Sequence, residues 1–209
     1  MTDASVGQVK VSIIYYSSTG TTYKLAQAIA EGAEKAGAEV TIKKVRELAP
    51  DEAIATNEGW VQHRLETQDV PEATADDVVN ADAVIFGSPT RYGNIAAQLK
   101  QFIDTLGPQW SQNLLADKVY SGFTSTSTEH GGQETTILAL YTTVHHFGGI
   151  VVAPGYTDPV KFADGNPYGT SFVSGQGPDP DQVALDAAVY QGKRVAEIAA
   201  ALKRGLATS

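Results

Sequence analysis

Apolar residues recur along the chain with two alternating periods, and the alternation lays out the elements. Residues 9–16 form a β-rich run with a dense apolar end at Ile13, Ile14, Tyr15 and Tyr16. Over 22–36, Leu25, Ile29, Gly32, Ala33 and Ala36 share one face at helical spacing, which predicts a helix stopped by Gly37. Residues 39–45 alternate as a second strand. The continuous apolar run at 83–87 is what a strand buried on both faces of a parallel sheet requires. A helix over 95–106 puts Ile95, Leu99, Phe102, Ile103 and Leu106 on one stripe. A strand at 118–124, a helix at 133–147, a short strand at 149–152 and a long amphipathic helix at 181–202 complete the pattern.

Strands and helices alternating at these lengths specify an α/β protein with a doubly wound parallel sheet, its ligand held by loops at the carboxyl ends of the strands. Two segments, 46–77 and the Gly- and Pro-rich 153–180, are too long for plain connectors and are expected to serve function or assembly. No repeat, linker or low-complexity tract divides the chain, so 1–209 reads as one domain.

Composition then narrows the chemistry. Twenty-four acidic residues against 15 basic ones give a formal net charge of -9. Such a field repels nucleic-acid phosphates and anionic lipid, although solubility alone also accounts for it. The absence of cysteine excludes disulfides, thiolate catalysis, zinc–thiolate sites and Cys-ligated iron–sulfur clusters, so redox chemistry here needs a non-thiol cofactor. Residues 1–8 lack a signal-peptide pattern, and no apolar stretch approaches the roughly 18 residues of a membrane helix. A soluble cytoplasmic protein with no nucleic-acid partner and no membrane insertion is expected.

The sharpest motif comes after the first strand: Ser17, Ser18, Thr19, Gly20, Thr21 and Thr22 run directly into a helix. Small hydroxyl residues around one glycine let backbone N–H groups converge on an anion, and the helix N-terminus adds partial positive charge. The loop has neither the GxxxxGK[ST] nor the GxGxxG pattern, which removes support for ATP and for Rossmann-type dinucleotide binding. A Ser/Thr-rich helix cap is the plainer reading, but hydroxyls so dense within six residues exceed what capping needs. After the third strand come Pro89, Thr90, Arg91, Tyr92, Gly93 and Asn94, offering a guanidinium and a ring above the sheet; an ordinary turn with a surface arginine is the alternative. After the fourth come Ser125, Thr126, Ser127, Thr128, Glu129, His130 and Gly131, with donors and acceptors suited to the polar edge of a flat ring. Three such loops after three successive strands point to one crevice.

Trp110 reads as a loop residue after a helix, either packed or used as a stacking wall. His145 and His146 lie at a helix end, where a charged imidazole also serves as a cap. The four histidines show no metal-ligand spacing and no GxSxG nucleophile motif is present, so neither a metal nor a serine-hydrolase site is expected.

The strand end Ile13-Ile14-Tyr15-Tyr16-Ser17, the stretch from Gly87 to Asn94, the stretch His130-Gly131-Gly132-Gln133-Glu134-Thr135 and the stretch Asn166-Pro167-Tyr168-Gly169 together resemble the WrbA-type NAD(P)H:quinone oxidoreductases. The resemblance covers nearly all of 9–202. It implies a flavodoxin-like three-layer α/β/α fold with a five-stranded sheet in the order 2-1-3-4-5. It also implies FMN as cofactor, with its phosphate on Ser17 to Thr22, its ring edge at Thr90, Arg91 and Tyr92, and its ring and ribityl side along Ser125 to Gly131. Trp110 and His145 resemble the residues that wall the space above the flavin, partly from a neighbouring subunit. The expected activity is two-electron transfer from NADH or NADPH to a quinone by a ping-pong, shared-site mechanism in a homotetramer. The chain departs from the family's pattern at Thr19, where many members carry an aromatic residue. Two other readings are a flavodoxin-like electron carrier, distinguished by failure to oxidise NADH directly, and a non-catalytic flavin-binding assembly protein, distinguished by bound flavin without turnover.

Overall fold

The run ending Ile13-Ile14-Tyr15 becomes β1 (Lys10–Tyr15), buried along all but its first residue. The computed structural model describes residues 7–175 and 179–207. α1 (Thr21–Lys35) and β2 (Glu39–Lys44) come next, with Gly37 turning between them at φ 87°. The first long segment is not a loop: it carries α2 (Asp51–Ile54), α3 (Glu58–Glu66) and the start of α4 (Ala75–Val79). β3 (Ala83–Arg91) then pairs with the two-residue β4 (Asn94–Ile95), ahead of α5 (Ala97–Asp104) and α6 (Gly107–Ser111). β5 (Val119–Thr126), α7 (Gln133–Phe147) and β6 (Ile150–Val151) come after them. The second long segment holds α8 (Pro159–Asp164) and β7 (Ser171–Val173), and α9 (Gln182–Ala207) ends the described chain.

The main strands run in the order β2-β1-β3-β5-β6, all parallel, which is the expected flavodoxin-like order when these five are counted alone. The sheet is wider than the five strands expected. β4 folds back antiparallel on β3, and β7 adds parallel to the carboxyl end of β5. One core lies under α1 and α9, centred on Ile13, Leu25, Ile29, Ile85 and Val195; the other lies under α4, α5 and α7, centred on Ile14, Phe86, Leu99, Leu140 and Val144. Side chains of successive strand residues thus alternate between two helical layers. α1 and α9 touch backbone to backbone, because a Cβ on Gly32 would lie 1.9 Å from the Val189 carbonyl and one on Gly192 1.9 Å from that of Ile29. Among the described residues no helix is long and apolar enough to cross a membrane.

The strand ends differ from the sequence expectation where the site lies. β3 does not stop at Gly87 but continues to Arg91, since Pro89 stays in register with Ser125 of β5 and Thr90 pairs with Ile95 of β4. β5 likewise runs to Thr126 because β7 supplies a partner for its last residues. Both strands therefore carry their polar residues out to the ligand face on regular backbone.

Candidate functional site

At the carboxyl end of β1 the chain turns through Ser17 and Ser18 into Gly20, which holds the left-handed conformation (φ 100°) at the N-cap position of α1. The Gly20 N–H donates to Ser17 Oγ at 3.1 Å, which curls the loop on itself. No side chain caps α1 and no acidic residue sits in its first turn, so its N-terminus is left suited to an anion. Lys24 is committed to an ion pair with Asp179, so on this loop the attraction comes from backbone dipoles and hydroxyls.

The other two loops meet this one. Ser17, Ser18, Thr19, Thr21 and Thr22 line a single polar pocket with Pro89, Thr90 and Arg91 of β3 and with Ser125, Thr126 and Ser127. Thr22 Oγ1 and Ser125 Oγ are 2.9 Å apart and buried, which stitches α1 to β5. Thr90 Oγ1 donates to the Gly131 carbonyl at 3.1 Å and accepts from the Gly93 N–H at 3.1 Å and from Thr136 at 2.9 Å. The Thr90–Asn94 stretch is a hairpin rather than a loop: Tyr92 (φ 54°) and Gly93 (φ 78°) are its two central residues, both at positive φ as a type I′ turn requires. Tyr92 accepts that strain while its ring is wholly exposed. A strained, unpacked aromatic residue at the rim of a pocket marks a contact surface.

Glu129, His130 and Thr128 are exposed on the loop before α7, and Thr126 folds that loop by accepting the Thr128 N–H at 3.0 Å. Asn94 accepts the N–H of Ile95 at 2.8 Å and so closes β4. Gly132 packs directly on Gly93, because a Cβ at 132 would lie 2.5 Å from the Gly93 Cα.

Trp110 and His145 are not brought to this pocket within one chain. Trp110 sits in α6, not in a loop, and its indole N–H donates to the His146 carbonyl at 2.8 Å, so it neighbours the end of α7. That region joins the start of β5 through the Asp117 N–H to Gly148 carbonyl bond, whereas the pocket lies at the other end of the same strand. Eight strand residues separate those ends by about 23 Å at 3.3 Å per residue. α5 and α7 carry the chain back across the sheet, and sequence order alone does not display that reversal.

Several site residues carry no local sequence signal. Ser174, after β7, lines the pocket and donates twice to the Thr126 carbonyl, at 2.7 Å from its N–H and 3.0 Å from Oγ. Glu47 anchors the first long segment: its carboxylate accepts from Tyr16 (3.0 Å), Trp60 Nε1 (3.1 Å), Gln98 (2.8 Å) and the N–H groups of Leu48 (2.8 Å) and Ala49 (2.9 Å). Burial alone pushes this carboxyl up, but the donors from Ala49, Gln98, Tyr16 and Leu48 outweigh it and hold it below its ordinary 4.5. The stability it contributes is therefore fully present above pH 4.5 and is lost as acid protonates it. Glu47→Gln should lower stability at neutral pH and flatten the acid side of the urea-unfolding profile; an unchanged profile would show that the carboxylate contributes nothing.

A doubly wound sheet with an uncapped helix N-terminus and three hydroxyl-bearing strand ends around one pocket defines a mononucleotide-binding protein of the flavodoxin-like class. The chain belongs to the NADPH-dependent FMN reductase family, which it matches over residues 9–158. It is 45% identical over 197 residues to the NAD(P)H dehydrogenase (quinone) of Deinococcus radiodurans, covering 93% of this chain and 97% of that one. It is also 45% identical over 202 residues to the enzyme of the same name from Sinorhizobium fredii, covering 92% and 98%. Among solved structures, the flavodoxin, WrbA-like protein from Agrobacterium tumefaciens superposes with a TM-score of 0.66 at 26% identity, covering 93% of this chain and 99% of that one. An archaeal flavodoxin at 17% identity superposes with a TM-score of 0.60 over 92% and 99% of the two chains, a likeness of fold. The WrbA-type resemblance read from the sequence is borne out.

The donor set fits the phosphate of FMN. A cluster of hydroxyls, free first-turn N–H groups and no acidic side chain in that turn suits a dianion held without lysine.

Proposed function

We propose that this chain is an FMN-dependent NAD(P)H:quinone oxidoreductase in which nicotinamide and quinone occupy one space in turn. The observation that carries the reading is the convergence of the uncapped α1 N-terminus with the polar ends of β3 and β5 in one pocket. Relatives matching nearly the whole chain are NAD(P)H dehydrogenases (quinone). The overall reaction takes NAD(P)H, a proton and a quinone to NAD(P)+ and a quinol.

FMN, when bound, would supply the two-electron redox chemistry that links nicotinamide and quinone. The protein binds and orients. Ser17 to Thr22 hold the phosphate, the Thr90 network fixes the hairpin at the ring edge, and Ser125 to Gly131 line the ribityl and ring side. Arg91 and Tyr92, both exposed on the hairpin, would contact the ring from its edge, and Arg91 is steadied by donating to the Thr90 carbonyl at 2.9 Å. Trp110 and His145 act from a neighbouring subunit, stacking flat substrates and excluding water, because their own pocket lies at the far end of β5. The assembly is a homotetramer in the cytoplasm with no nucleic-acid partner. Exposed Trp110, Leu114 and Ile150 at one end, Leu138 on α7, and the stacked Tyr156–Phe162 pair of the second long segment support such packing.

A shared space makes the kinetics ping-pong. Double-reciprocal plots of rate against quinone at several NADH concentrations should be parallel, and intersecting lines would contradict alternating occupancy. Trp110→Ala should raise the quinone KM about tenfold through lost stacking while leaving FMN affinity unchanged. An unaltered KM and kcat would remove Trp110 from the site.

A further inference from the structure

We propose that His63 senses the flavin phosphate through the back of the phosphate loop and takes up a proton when that phosphate binds. This rests on the reading of Ser17 to Thr22 as the flavin-phosphate loop and adds to it a residue from a different part of the chain.

The geometry begins with α3, which the first long segment lays against the outside of that loop. A Cβ on Gly59 would lie 3.8 Å from Thr19 Cγ2, and one on Gly20 would lie 3.5 Å from His63 Nδ1. His63 is buried, and its ring lies 5.7 Å from that of Tyr23 on α1, which in turn stacks on Tyr15 at 5.2 Å. The imidazole is thus fixed beside the N-cap residue of α1. A polar cavity of about 360 Å³ opens on its other side, between α3 and the ends of β1 and β2. Ser17 lines both this cavity and the phosphate pocket, so the loop is a thin partition between them. The cavity gives a proton a polar route to a ring that is otherwise shut from solvent.

Electrostatics sets the direction. Burial pushes the imidazole below its ordinary 6.5; Glu66 on the same helix pulls upward, while Lys44 at the end of β2 and Lys24 on α1 push it further down. The positive end of the α1 dipole opposes the proton as well. Across the cavity stand Arg46, Glu47, the Arg64–Asp51 pair and Glu72, three carboxylates against two guanidiniums, with Glu47 already saturated by donors. His63 is therefore neutral at pH 7 while the phosphate loop holds no anion. A phosphate dianion on the far side of the loop offsets the dipole and both lysines, and the proton becomes favourable. Binding the anion and binding the proton then reinforce one another by equal factors, as linkage requires.

The test compares FMN with riboflavin, which lacks the phosphate, by flavin fluorescence quenching on the apoprotein across pH 5 to 8.5. His63→Gln keeps the volume and removes the titration, and the phosphate's own protonation is common to both proteins. The ratio of FMN dissociation constants, variant over wild type, should be near one at pH 8.5 and climb toward about tenfold as the pH falls through the imidazole midpoint, the limit for a one-unit shift. Riboflavin should show no such rise. The same shift should appear directly in wild-type protein: the assigned His63 ring resonances in 15N NMR should titrate about one unit higher with FMN bound, and higher also with inorganic phosphate. A pH-independent ratio, or a His63 midpoint unmoved by FMN, overturns the proposal while leaving flavin binding intact. Equal affinity for FMN and riboflavin at every pH would overturn the phosphate-loop reading itself.

Discussion

Asp164→Ala is expected to destabilise the protein by about 3–5 kcal/mol, the cost of stranding a buried charge. Asp164 and Lys161 form an ion pair on α8 with side-chain exposures of 1% and 0%. Burial pushes the Lys161 ammonium down and the Asp164 carboxyl up, and each opposes the other's shift as a counter-charge. With Asp164 gone, the ammonium keeps the Gly169 carbonyl at 3.5 Å as its polar contact. The pair also organises the chain between α8 and β7: Asp164 accepts the Asn166 N–H at 3.3 Å, Asn166 Nδ2 donates to Ser171 Oγ at 3.0 Å, and Ser171 donates to Gln133 Oε1 at 2.7 Å. These bonds lead from the second long segment to the first residue of α7, directly behind the Ser125–Gly131 loop. Lys161→Met combined with Asp164→Leu should therefore cost much less than either single change, because it removes both charges and keeps the volume. Urea unfolding of the three variants measures this, and a single variant no less stable than the double would show that the pair is not what holds the segment.

The second large effect is on the cofactor. Gly132→Ala should weaken FMN binding about ten- to hundredfold, the equivalent of the 1–3 kcal/mol that overpacking costs. Gly132 sits at φ 104°, and its added methyl would meet the Gly93 Cα at 2.5 Å and Thr135 Oγ1 at 2.9 Å. The new Cβ forces the hairpin and the β5–α7 loop apart at the point where Thr90 joins them. The hydrophobic cores lie elsewhere, so the melting temperature should move little while the dissociation constant moves greatly. Gly93→Ala should act the same way more weakly, since its Cβ would meet the Thr135 hydroxyl at 3.1 Å. An unchanged FMN affinity in Gly132→Ala would mean that the two loops do not set the width of the site.

Much of the fold is legible in the sequence because burial imposes a period. β1, α1, α7 and α9 each carry a mainly apolar buried face, and each forms within a few residues of the expected span. What is not legible depends on partners far along the chain. β3 outruns its apolar stretch because β4 and β5 give Pro89, Thr90 and Arg91 somewhere to pair. α3 buries only His63 of its nine residues, so it leaves no helical stripe to find. The hydroxyl loops stand out as a candidate anion site by composition alone. Glu47, His63 and Ser174 do not, since one such residue in a polar segment looks like any other until the chain folds. Trp110 is the instructive case: its type suggests a stacking wall, but its distance from the pocket comes from the direction of α5, which no residue near it encodes.

Electron transfer through bound flavin is decided by an anaerobic visible spectrum of the protein reconstituted with FMN, recorded before and after one equivalent of NADH or NADPH and again after benzoquinone. Reduced nicotinamide should bleach the flavin band, and stoichiometric quinone should restore it. A protein that binds FMN tightly yet is bleached by neither nicotinamide would contradict the oxidoreductase reading.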